Sequence, residues 1–194
     1  MKNQRFLMLH QLLALVFGIL CVLFTVLLLA RSDFFQWAFA RHQNLLSWYI
    51  RPLFLVPFCF FSYRRSLDGI LGTVFFLLTS MFWFPVPITV DEQVVSFLEA
   101  EKDYLTGDWS TQKILISLLV PASLSVLSLA LWKRSLWLGI AVLIFIAVAK
   151  MLWSVVFGGT AGRAILLPAL IGLAVCILLV AIGFIQLEKR NHRK

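Results

Sequence analysis

The sequence predicts an all-α, polytopic membrane bundle of six transmembrane helices, and three observations carry that prediction. Hydrophobic residues make up 61% of the chain and charged residues 13%, with a mean hydropathy of +0.95, far more apolar than a soluble domain of this length. The apolar residues form runs of roughly 18 or more rather than short amphipathic stripes, which matches the hydrocarbon thickness of a bilayer. Basic residues concentrate in alternate connecting segments, as expected when loops are retained on one side of a membrane. Each run is expected to be helical because hydrocarbon offers no water to backbone polar groups.

The first span is 12–30, roughly 28 Å long at the helical rise. It follows Lys2 and Arg5 and stops at Arg31. Its length exceeds the apolar core of a secretory leader and no A-x-A site follows, so it is read as a retained helix. Leu20, bulky before Cys21, argues against lipoprotein processing. The second span, 45–63, is interrupted by Arg51, Pro52 and Pro57; were it re-entrant, the protein would have five spans. The third, 67–84, ends at Pro85 and Pro87, which cannot continue a helix. Spans 114–132 and 136–157 flank the tight basic turn Lys133, Arg134 and Ser135, and the sixth is 165–187. With no repeat or low-complexity tract, the whole of 1–194 is read as one membrane domain.

With six spans, one side holds ten basic residues: Lys2, Arg5, Arg64, Arg65, Lys133, Arg134, Lys189, Arg190, Arg193 and Lys194. The other side holds five, namely Arg31, Arg41, Lys102, Lys113 and Arg163. Both termini are therefore expected in the cytoplasm and the acidic loop 85–113 outside, in a bacterial inner membrane. If 45–63 did not span, the same count would put the amino terminus outside while keeping the carboxyl terminus inside and the acidic loop outside. Trp37, Trp48, Trp83, Trp109 and Trp153 fall near the outer ends and Trp132 and Trp137 near the inner turn, where indoles prefer the interface. The formal charge of +8 follows from retained loops and a basic tail, and calls for no nucleic-acid partner. The bilayer is the expected environment, and the tail from Lys189 to Lys194 is suited to anionic headgroups.

The sequence carries no P-loop, dinucleotide fingerprint, G-x-S-x-G or H-E-x-x-H pattern. His10, His42 and His192 lie at different segment ends, with His10 and His42 expected on opposite sides of the membrane, so a shared metal or haem is not predicted. Cys21, Cys59 and Cys176 are separate and intramembrane, which fits small apolar core residues better than a disulfide or zinc site. No catalytic residues, metal or cofactor are assigned.

Loop 85–113 carries Asp91, Glu92, Glu99, Glu101, Asp103 and Asp108 against Lys102 and Lys113. Thr89 and Glu92 have capping-box spacing, Val90, Val94, Phe97 and Leu98 share a helical face, and Gly107 offers a stop. A short amphipathic helix lying on the membrane domain is predicted, its apolar stripe broken at Glu101. Among the spans, Ser117, Pro121 and Ser125 form one small-residue stripe, and Gly172 with Cys176 another, near Ala169 and Gly183. Such stripes suit close helix packing within the chain, between copies, or with a membrane-protein partner.

Arg51 and Lys150 are the sharpest features, because a cation within a span costs a few kcal/mol on insertion scales. At the helical rise both sit about 9–10 Å from the outer ends of their spans. Asp68, the acid nearest a span start, lies at the inner side, four residues after Arg64, with which it is expected to pair. The two cations either snorkel to outer headgroups or turn inward to meet an anion, supplied by the outer loop or by a ligand. Arg163, beside Gly158, Gly159 and Gly162, lies on the same side and would add donors at a helix start. Arg51, Lys150 and Arg163 are therefore the candidate site for an anionic solute or headgroup. A non-enzymatic subunit or small transporter-like protein is the leading class; a lipid-modifying membrane enzyme and an assembly partner using the acidic loop are the alternatives.

Overall fold

The computed structural model describes residues 2–159 and 166–191, which form helices joined by short connections, with no strand among them. The helices are α1 (Lys2–Ala30), α2 (Ser32–His42), α3 (Leu45–Leu53), α4 (Leu55–Arg64), α5 (Leu67–Thr79), α6 (Glu92–Thr106), α7 (Thr111–Trp132), α8 (Leu136–Gly158) and α9 (Leu166–Asn191). Five helical stretches are long and apolar enough to cross a bilayer: Gln4–Ala30, Leu45–Arg64, Thr111–Trp132, Leu136–Val156 and Leu166–Gln186. A shorter apolar stretch, Leu67–Phe82, joins α5 to the 3-10 turn Ser80–Phe82. Each predicted run is thus helical, although the third ends earlier than 84.

The stretch predicted as 45–63 is a bent helix. It starts under an Asn44 cap that accepts the amide of Leu46 at 3.1 Å. It changes direction at Phe54, between Pro52 and Pro57, where the proline ring and its missing N–H interrupt the helical ladder. Helix α9 is fitted to that bend. The Cys176 thiol donates to the Pro52 carbonyl at 2.9 Å, and a side chain on Gly172 would collide with the Pro52 ring. Tyr63 meets Phe184 two turns further along, with ring centroids 4.6 Å apart, so α9 runs parallel to α3 and α4.

Helix α1 lies parallel to α5, with Phe17 against Gly72 and Gly18 against Leu71, while α7 and α8 form an antiparallel hairpin beside α4. The termini-bearing end carries a contact from the Arg65 guanidinium to the Trp132 carbonyl, at 3.1 and 3.2 Å. The other end is capped by α2 and α6. There Phe24, Phe35, Ala38, Phe39, Trp48, Met81, Val94, Phe97 and Leu98 form one buried cluster. A second cluster, with Phe58, Cys59, Ile70, Leu127, Leu131, Leu143 and Val180, binds α4, α5, α7, α8 and α9 together.

Segment 32–42, for which the sequence carried no assignment, is helical, with Phe35, Ala38, Phe39 and His42 on its buried face at helical spacing. Three expectations change. Asp91, not Thr89, caps α6, because its carboxylate accepts the Gln93 amide at 2.8 Å. Asp68 pairs with His10 across helices rather than with Arg64 on its own side of the turn. The Ser125 stripe does not pack inside the chain: Ser125 is exposed and its hydroxyl donates back to the Pro121 carbonyl at 2.8 Å. Ser117, in contrast, meets the Tyr104 hydroxyl at 3.0 Å.

Candidate functional site

The cap end brings Arg51 and Lys150 into one electrostatic neighbourhood, through residues contributed by α2 and α6. His42, only 5% exposed, is the last residue of α2. Its Nδ1 lies 2.9 Å from Ser47 Oγ, and Ser47 Oγ lies 2.8 Å from the Asn44 carbonyl, which only accepts. The serine proton therefore goes to that carbonyl and the Nδ1 proton to the serine oxygen. This leaves Nε2 as the acceptor for Arg51 Nη1 at 3.0 Å, since a guanidinium only donates. The network requires a neutral imidazole. Burial first, then the charges of Arg51 and Lys150, hold the His42 pKa well below the ordinary histidine value. Trp48 completes the corner by donating its indole N–H to the His42 carbonyl at 2.9 Å.

Lys150 enters from α8, one turn before Ser154, whose hydroxyl donates to the Lys150 carbonyl at 2.8 Å. Its ammonium is 4.0 Å from Glu101 Oε1 and 6.0 Å from the centre of the Phe97 ring, so it turns toward α6. Glu101 is also within Coulombic reach of Arg51. The acid that interrupts the apolar stripe of α6 thus pairs with Lys150 and lies within electrostatic range of Arg51. Phe97, one turn earlier, stacks edge-on against Trp48 at 5.7 Å, which ties α6 to the same corner. The Lys150–Glu101 pair is open, with side chains 49% and 32% exposed.

Of the three residues expected to form the site, Arg51 contacts His42 and Lys150 contacts Glu101, with both charges felt at His42, whereas Arg163 lies outside the described residues. The preceding helix stops at Gly159, whose φ of +54° favours glycine. His42 and Glu101 were missed as site residues. For Glu101 the signal was present, as an acid on an otherwise apolar face. For His42 it lay in the unread helical spacing of Phe35, Ala38, Phe39 and His42.

The opposite end holds a different polar cluster. His10 Nδ1 is 2.7 Å from Asp68 Oδ2, and Ser66 Oγ donates to Asp68 Oδ1 at 2.5 Å. Phe6 packs edge-on to the imidazole at 4.4 Å. Here one carboxylate is matched by its own donors. Among the described residues no three metal-binding side chains converge.

Fold and site together define an all-helical bundle membrane protein with a cation-rich corner at its capped end. No protein family matches the chain, and no curated protein or solved structure is similar to it.

Proposed function

We propose that this protein binds an anionic group, a solute or a lipid headgroup, at the Arg51–Lys150 corner, as a non-enzymatic membrane subunit or small transporter-like protein. The observation that carries this reading is the imbalance of charge. Two cations from α3 and α8 face one carboxylate, and the imidazole between them is held neutral. A surplus cation within a span is costly unless an anion completes it. Arg51 supplies a rigid guanidinium anchored on His42, and Lys150 a flexible ammonium, a pairing suited to phosphate or carboxylate oxygens.

In this reading the chain crosses an inner membrane six times with both termini in the cytoplasm, which puts the corner on the far side. Support comes from the ten basic residues on one side against five on the other and from the pairing of segment ends. Asp68, at the start of α5, meets His10 at one end, and Pro85, just past it, accepts from Asn44 at the other. The Leu67–Phe82 stretch would span about 24 Å, which local bilayer thinning accommodates.

The test is binding of dihexanoylphosphatidylglycerol to the detergent-solubilised chain, read as a rise in Tm with ligand. Arg51→Gln and Lys150→Gln are each expected to weaken binding at least tenfold while insertion is retained. Equal binding by wild type and both variants would overturn the site, and an amino-terminal reporter outside the cytoplasm would overturn the six crossings.

A further inference from the structure

Helix α6 is attached to the bundle in two unlike ways. Its first half is buried: Val94 and Leu98 are 1% exposed and Phe97 6%, within the same cluster as Phe35, Ala38, Phe39 and Trp48. Its second half carries Glu101 and Tyr104 and ends at Gly107. There the attachments are a 4.0 Å ion pair to Lys150, the Tyr104 hydroxyl at 3.0 Å from Ser117 and 3.2 Å from the Lys113 carbonyl, the edge of Tyr104 against Trp153, Lys102 over the Phe39 ring, and Leu105 partly buried at the margin of the apolar cluster. Apolar burial is indifferent to a charged ligand. A single half-exposed ion pair is not, because it is worth little and exchanges readily for another anion.

The charges around Glu101 sharpen this. Lys102, its neighbour, lies over the Phe39 ring at 5.7 Å, and Arg41 lies over the Trp37 ring at 4.3 Å, so each is engaged with an aromatic face. His42 contributes no charge while its Nε2 accepts from Arg51. Within the linked set Arg51, His42, Lys150 and Glu101, two positive charges therefore accompany one negative charge, an excess of one. The glutamate already stands where an incoming oxyanion would bind.

We propose that Glu101 is a built-in competitor at the Arg51–Lys150 corner: a phosphodiester monoanion binds there by displacing its carboxylate, and this releases the second half of α6 while the first half stays docked. This rests on the anion-binding reading above and adds the ligand's charge and the way its entry is controlled. Replacing the glutamate by glutamine removes the competitor and raises the unmatched charge from one to two. Affinity should then rise, and selectivity should move toward dianions.

The experiment compares wild type, Glu101→Gln, Arg51→Gln and Lys150→Gln as full chains in mild detergent at pH 8. The probes are dimethyl phosphate, dihexanoylphosphatidylglycerol and inorganic phosphate. Wild type is expected to prefer the diesters. Glu101→Gln is expected to bind them about fivefold more tightly and to gain more for inorganic phosphate, which is mainly dianionic at that pH. Tight binding of the phosphatidylglycerol alone assigns a lipid headgroup as the source, and equal binding of dimethyl phosphate assigns a soluble diester. Glu101→Gln affinities equal to or below wild type, with binding still lost in Arg51→Gln, would overturn the competitor and leave the anion site standing. Wild-type affinities in both cation variants would overturn the site itself. Hydrogen exchange on the wild-type chain reads the same event without a substitution: saturating diester should deprotect amides of 101–106 and leave 94–98 unchanged. Uniform protection across α6 would end the proposal.

Discussion

The two polar clusters of this bundle sit at opposite ends and solve opposite problems. At the termini-bearing end, Asp68 receives one hydrogen bond from His10 and one from Ser66, so acid and donors are matched within the chain. At the capped end, Arg51 and Lys150 outnumber Glu101, and His42 is constrained to accept from Arg51 instead of adding charge. The first arrangement fastens α1 to α5. The second leaves a surplus that a partner anion would complete. Matched polar groups stabilise by being satisfied, whereas an unmatched cation persists at a cost to stability, which is what the proposed anion would relieve.

That contrast can be broken most severely where α9 supports the bend beneath Arg51. Gly172→Leu would drive a side chain into the Pro52 ring, and a loss of about 3 kcal/mol is expected from overpacking. Thermal unfolding in detergent checks it, and anion binding should fall with it because Pro52 adjoins Arg51. Next come the charged groups themselves, which should respond in opposite directions. Asp68→Ala strands the His10 and Ser66 donors and should lower stability by about 1–2 kcal/mol, discounted because His10 is partly exposed. Arg51→Gln removes a surplus cation, so an unchanged or higher Tm is expected together with lost anion binding. If both variants lowered Tm equally, the two ends would be equivalent structural pairs and the contrast would fail.

A smaller effect separates the two ends by pH. The folded-state pKa of His42 is lowered by burial, then by Arg51 and Lys150, with Glu101 facing the same corner. The unfolded chain therefore takes up the proton first. This contribution is fully present above about pH 6.5 and is lost as the pH falls from there toward the folded value. Tm measured from pH 8 to pH 5 should decline, and His42→Gln, which keeps an acceptor-capable amide near Arg51, should remove part of that decline. An identical decline in wild type and variant would place the pH response elsewhere. The smallest effect is expected from Ser125→Leu. Its side chain is exposed on α7, so stability of the detergent-solubilised chain should stay within about 0.5 kcal/mol; a large loss would show that this face packs against another copy.

Much of the bundle could be read from residue order because the relevant physics is local. A run such as 136–157 must satisfy its own backbone in hydrocarbon, so its helix follows from composition and length, and Gly107 caps α6 as its position suggested, whereas α5 ends at Thr79, before the prolines. The cost of Arg51 and Lys150 was equally visible, since it depends on their being embedded and not on what they touch. Their partners were not visible. Spacing suggested Arg64 for Asp68, but side-chain direction on the first turn of α5 gives it to His10, 58 residues away in the chain. Glu101 looked like a defect in a solvated loop helix until α6 was laid across α8, and His42 had no role until the end of α2 met Arg51. Which segments cross a membrane, and which charges are expensive there, are properties of the sequence itself. Which charge answers which is decided by tertiary packing, because electrostatic partnership depends on distances of a few ångströms between helices that the sequence separates by scores of residues.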